Sequence, residues 1–174
     1  MPSTPELAAI TGDEGFRRIE VRQTVSATPA RVWQAITCSD EVEQWWDRIE
    51  VDAREGGRVV CVSDVESYRE GGIPPLDGTV KAFLPPHIFE FTWNEATEPA
   101  QGFVRLDLVE ITDTTSVTLV YLAAKEDVQV VAAGWHYLLE RLAEYLKTGA
   151  AVQANKERER QLYSLYEAAL GQST

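Results

Sequence analysis

At 174 residues, 44% of them hydrophobic, and with five Trp, six Tyr and five Phe, the chain is long enough to close one domain around a substantial core. Its 16 basic and 28 acidic side chains leave a formal charge of -12, which repels phosphate backbones and anionic membrane surfaces and so argues against a nucleic-acid or membrane partner. No segment offers the roughly 20 consecutive apolar residues of a membrane span and Met1–Glu14 lacks a basic-then-apolar leader, so a cytoplasmic protein is expected.

Residues 1–15 mix Pro, Thr, Asp and Glu around one small apolar group, Leu7–Ile10, and read as a flexible lead-in or a short surface turn of helix. Phe16–Val25 then alternates: Ile19, Val21 and Val25 fall on one face, with Gln23 in phase, and Glu20, Arg22 and Thr24 on the other, as in a half-exposed strand. Thr28-Pro29 supplies an N-cap and a proline at the first helical position, which predicts a short helix over Ala30–Thr37 burying Val32, Trp33 and Ile36. Asp40 with Glu43 resembles a second capping box, starting a turn of helix that ends near Trp46.

Strand patterns follow at Ile49–Ala53, Arg58–Val65, Gly78–Leu84, Ile88–Asn94, Gly102–Ile111 and Ser116–Ala123. Gly56-Gly57, Asp77-Gly78, Pro85-Pro86 and Asp113-Thr114 separate them at hairpin intervals, which predicts an antiparallel meander, strongly curved or closed. Tyr68–Leu76, with two glycines and two prolines, cannot easily continue a ladder and reads as a loop over an opening. Cys38 and Cys61 sit inside hydrophobic patterns and read as small core residues of a reducing compartment.

Asp127–Thr148 is the longest helical pattern. Val128, Val131, Trp135, Leu138, Leu142 and Tyr145 recur at three- and four-residue steps, a stripe that must be buried on a sheet. Thr148-Gly149 stops it, and Asn155–Leu170 reads as a further helix whose stripe, Leu162, Leu165, Tyr166 and Ala169, needs a partner in this domain or in a second subunit. The most basic run, Lys156–Arg160, interleaves Glu157 and Glu159 and reads as a solvated helix face.

Strand, two short helices, six strands, long helix is the order of the helix-grip fold. Val25-Ser26-Ala27-Thr28-Pro29-Ala30-Arg31-Val32-Trp33 resembles the opening of the AHSA1-like group of the SRPBCC superfamily (START/Bet v 1-like), and later landmarks follow that group's order. These are Trp45-Trp46, Arg54-Glu55-Gly56-Gly57, the hairpin from Pro85-Pro86 to Phe91-Thr92-Trp93, and Gly134-Trp135 with Leu138–Leu142. The resemblance implies an α+β fold in which a curved antiparallel sheet of about seven strands wraps a long C-terminal helix over residues 16–149, with 150–174 as a helical extension. It implies a pocket for a small hydrophobic, lipid-like or aromatic molecule. Two alternatives come with it: a protein-interaction or co-chaperone-like module with a homodimer or a chaperone as partner, and a cyclase or dehydratase acting on polyketide chains. The group's eukaryotic activator carries a further N-terminal chaperone-binding domain, in whose place this chain has only the lead-in, which weighs against chaperone activation.

No Gly-x-Ser-x-Gly elbow, phosphate loop or dinucleotide fingerprint is found, so no catalytic residue and no cofactor are expected. Two histidines, His87 and His136, are too few for a histidine-rich metal centre, and no metal is expected. Asp64 and Glu66, in phase with Val60 and Val62, are the least unfavourable acid-base pair. The binding candidates are instead aromatic: Trp45, Trp46, Trp93, Tyr121 and Trp135 come from a short helix, two strands and the covering helix. In a grip-shaped fold they converge on the space between sheet and helix, either as a filled core or as walls whose rings leave a gap for a guest. Gln23, Tyr121 and His136 are the polar handles expected beside them.

Overall fold

A computed structural model of the protein describes residues 6–12, 16–62, 77–93, 102–124 and 128–170. The expected loop over Tyr68–Leu76 and the carboxylate pair Asp64 and Glu66 lie outside the described residues. The described elements are β1 (Ala9–Gly12), β2 (Phe16–Val25), α1 (Pro29–Thr37), α2 (Ser39–Trp45), β3 (Ile49–Val51), β4 (Arg58–Cys61), β5 (Asp77–Leu84), β6 (Ile88–Trp93), β7 (Gly102–Ile111), β8 (Thr114–Ala124), α3 (Val128–Thr148) and α4 (Lys156–Leu170).

The strands form one antiparallel sheet in the order β1-β2-β8-β7-β6-β5-β4-β3. Consecutive hairpins build β3 to β8, and β2 joins at the far side of β8 with Val21 opposite Leu119 and Val25 opposite Thr115. Alternation then sets the faces: Ile19, Val21, Val25, Val104, Leu106, Leu108, Val117, Leu119 and Tyr121 are buried on the face that α1 and α3 cover. Thr28 caps α1, its hydroxyl accepting from Arg31 N, and Pro29 opens the helix as expected. α1, α2 and α3 are tied at one point. Arg31 Nη1 donates to Glu41 Oε2 at 2.5 Å, the Tyr145 hydroxyl donates to the same oxygen at 3.1 Å, and the guanidinium lies 5.5 Å from the Tyr145 ring centre.

Four readings are corrected. Within residues 1–15, Ala9–Gly12 is a strand, paired with Arg17–Glu20. α2 begins at Ser39 with no side-chain cap, so Asp40 and Glu43 form no capping box; Ser39 Oγ instead accepts from Val51 N at 2.9 Å. Cys38 is exposed between α1 and α2, while Cys61 is buried, and neither forms a disulfide. The α3 stripe extends further round the helix than its apolar spacing indicates, because α4 folds back on α3 within the same chain and buries Leu162 and Tyr166 completely. Ala133, His136 and Tyr137 are covered as a result. Among the described residues no helix is long and apolar enough to cross a membrane.

Candidate functional site

The aromatic residues singled out by the sequence do converge, and their rings touch. α1 and α2 are locked together by the buried Trp45, whose indole N–H donates to the Ala35 carbonyl at 2.9 Å. The next residue, Trp46, is thereby carried off the end of α2 and over the sheet, where its carbonyl accepts from Arg141 Nη1 at 3.3 Å. Trp93 ends β6, Tyr121 lies in β8 and Trp135 descends from α3. Trp46 and Trp93 stack with planes 4° apart and centroids 6.0 Å apart. Trp135 meets Trp46 at 5.6 Å, Trp93 at 5.1 Å and Tyr121 at 5.5 Å. These are edge and offset contacts of the preferred kind, each worth about 0.5–1.5 kcal/mol beyond the area it buries.

A glycine makes room for this cluster. Gly102 pairs with Trp93 across the sheet, and a Cβ there would come within 2.6 Å of the Leu122 carbonyl and 3.3 Å of the Tyr121 hydroxyl. The gap expected between opposing rings is therefore filled by the rings themselves. The cluster is layered: Trp45, Tyr121 and Trp135 are buried, whereas Trp46 and Trp93 remain half-buried on the outside.

The two other predicted residues lie elsewhere. Gln23 and His136 line an open polar groove of about 800 Å³ beside the exposed stretch of β2, together with Glu140, Lys147 and Arg158. Gln23 Nε2 donates to the Thr24 carbonyl at 3.2 Å. His136 is buried in α3 and faces α4, where its Nδ1 is 2.9 Å from the Tyr166 hydroxyl. That hydroxyl accepts the Ala8 N–H at 2.7 Å, and with the imidazole proton on Nε2, 3.6 Å from Glu140 Oε1, it can donate its own proton to His136 Nδ1. Burial holds the His136 pKa below the ordinary value of 6.5; Glu140 opposes that shift and Arg158 adds to it. Glu140 is in turn gripped by Arg158 through two bonds, at 2.9 and 2.6 Å. His136 and Tyr166 thus form the centre of a clasp joining α3, α4 and Ala8, the residue that leads into β1. Tyr166 is the residue that sequence reasoning missed here: its place in the α4 stripe was visible, but not the hydroxyl's two partners.

Residues 26–147 match the family model described as activator of Hsp90 ATPase homolog 1-like protein. Among solved structures, CalU16 from Micromonospora echinospora is 22% identical with a TM-score of 0.72, covering 92% of this chain and 95% of that one. DynU16, from the dynemicin biosynthetic locus, is 24% identical with a TM-score of 0.65 over 80% of this chain, which spans only 49% of DynU16. The Aha1 dimer from Colwellia psychrerythraea is 17% identical with a TM-score of 0.61, covering 76% of this chain and 97% of that one. No curated protein matches the sequence.

Proposed function

The chain belongs to the activator of Hsp90 ATPase homolog 1-like family, and from that premise we propose that it binds a small hydrophobic, lipid-like or aromatic molecule between sheet and α3, entering where Trp46 now stacks on Trp93. The observation that carries this reading is the layering of the cluster. Trp135 and Tyr121 form a buried floor, while Trp46 stands half-buried just beyond the end of a seven-residue helix, where an outward swing of its indole would open a slot walled by the remaining rings. Such walls suit a planar or aliphatic guest. Burying about 250 Å² of ligand at roughly 25 cal/mol/Å² gives on the order of 6 kcal/mol before association costs. The rings supply binding rather than proton transfer, so a binding protein is favoured over an enzyme. The resemblance to helix-grip cyclases noted in the sequence is what keeps polyketide-like chains in the ligand panel.

Tryptophan fluorescence titrated with a panel of fatty acids, naphthols and polyketide-like aromatics tests the proposal. Quenching with a micromolar Kd is expected, weakened at least tenfold in Trp93→Ala; no ligand-dependent change across the panel overturns it. A second reading, a protein-interaction module forming a homodimer or meeting a chaperone, draws support from the family description and from the dimer reported for the Colwellia protein. Leu162 and Tyr166 of the α4 stripe expected to serve such a partner are buried within the chain, which leaves Leu165 half-buried and Ala169 exposed, so that reading requires more surface than this stripe.

A further inference from the structure

The large hydrophobic side chains exposed among the described residues gather in two places. Leu84, Val109 and Ile111, more than half exposed, stand at the end of the sheet where the β5–β6 and β7–β8 hairpins turn. Val130 and Tyr163 flank a groove of about 360 Å³ between α3 and α4. Patches of this kind mark interaction surfaces. The groove also holds Gly134, in the second turn of α3. A Cβ there would meet nothing within 4 Å, so no packing among the described residues accounts for a glycine that weakens the helix. Its lack of a side chain keeps the groove open.

The two places differ in charge. The β7–β8 turn carries Glu110 and Asp113, both exposed, beside Ile111. The groove is rimmed by Lys156 and Arg160 with Glu159 between them, a local charge of +1 on a chain of formal charge -12, and Arg160 Nη2 also pairs with Glu157 Oε2 at 3.1 Å on the exposed side of α4. They also lie apart. β8 leads from the turn at its start to α3 at its end, and eleven strand residues span roughly 35 Å, so one molecule cannot fill its own groove.

We propose that the β7–β8 turn of one copy seats in the α3/α4 groove of a second copy, Ile111 entering beside Gly134 while Glu110 and Asp113 approach Lys156 and Arg160. This rests on the interaction reading and not on ligand binding at the aromatic cluster. The contact is heterologous, so two copies close a pair by exchanging turns or many copies extend a row. A single turn in a single groove is smaller than a standard interface, so the self-association expected is weak and concentration-dependent.

Analytical ultracentrifugation of the full chain from 20 µM to 1 mM, with melting curves as a fold control, tests it. Wild type should self-associate. Gly134→Leu, which fills the groove and favours helix, and Ile111→Asp should each weaken association at least tenfold while keeping the fold. Glu110→Lys/Asp113→Lys and Lys156→Glu/Arg160→Glu should each lose self-association, and an equimolar mixture of the two should regain it. A wild type that is monomeric at 1 mM overturns both this proposal and the homodimer reading. Association that survives both Gly134→Leu and Ile111→Asp overturns only this contact.

Discussion

The aromatic cluster and the α3–α4–β1 clasp both join helix to sheet, but by opposite means. The cluster lies within residues 26–147 and is held by ring contacts that tolerate sliding and tilting; the clasp is built from Ala8, His136, Glu140, Arg158 and Tyr166, partly outside that span, and held by directional bonds. Rings can part and repack at modest cost. A polar network either has all its partners or leaves a buried group unpaired. The first is suited to admitting a guest, the second to fixing one arrangement.

The largest way to break this contrast is Trp135→Ala. Trp135 is 6% exposed and touches Trp46, Trp93 and Tyr121, so its removal should cost about 3–5 kcal/mol in urea unfolding. A loss under 1 kcal/mol would show that the rings are not a structural unit. Tyr166→Phe comes next. It keeps the ring but strands the Ala8 N–H and His136 Nδ1, for an expected loss of about 1–3 kcal/mol together with faster amide exchange at Ala8. Unchanged exchange would mean that β1 is held by strand pairing alone.

The clasp, unlike the cluster, should also respond to acid. Because the His136 pKa is depressed in the folded protein, the unfolded chain takes up the proton first. The stability this group contributes is present in full above the ordinary value of 6.5 and declines as pH falls below it toward the folded value. The slope is at most about 1.4 kcal/mol per pH unit. Comparing urea midpoints of wild type and His136→Gln between pH 7.5 and 5.5 checks it: the wild type should lose more, and parallel curves would remove His136 from the account. The smallest effect is a gain. Gly134→Ala adds a methyl in open space and should stabilise by up to about 1 kcal/mol in the same assay. A loss instead would reveal a neighbour at that position.

The strands and helices were legible because their signals are local: alternation marked β2 and β5 to β8, and three- and four-residue steps marked α3. β1 was not, since Ala9–Gly12 holds only one half-buried apolar residue, Ile10, and exists through pairing with β2. Membership of the aromatic cluster was legible from which face each ring occupied, but whether the rings meet depends on side-chain reach and on Gly102, which no periodicity reports. Gln23 shares the phase of Val21 and Val25, yet it lines the polar groove between β2 and the polar side of α3, which alternation along β2 does not report. The setting of His136 depends on α4, twenty residues further on, and spacing along α3 could not supply it.

The position of β8 has a consequence for how the chain assembles. It lies between β2 and β7, so the early strand Phe16–Val25 stays without its main ladder until Thr114–Ala124 has been synthesised, about a hundred residues later. Until then a ten-residue strand with an apolar face offers open backbone to neighbouring chains. A nascent chain stalled before Ala124 is accordingly the species most exposed to aggregation, and closure of this ladder marks the moment at which the protein becomes safe from it.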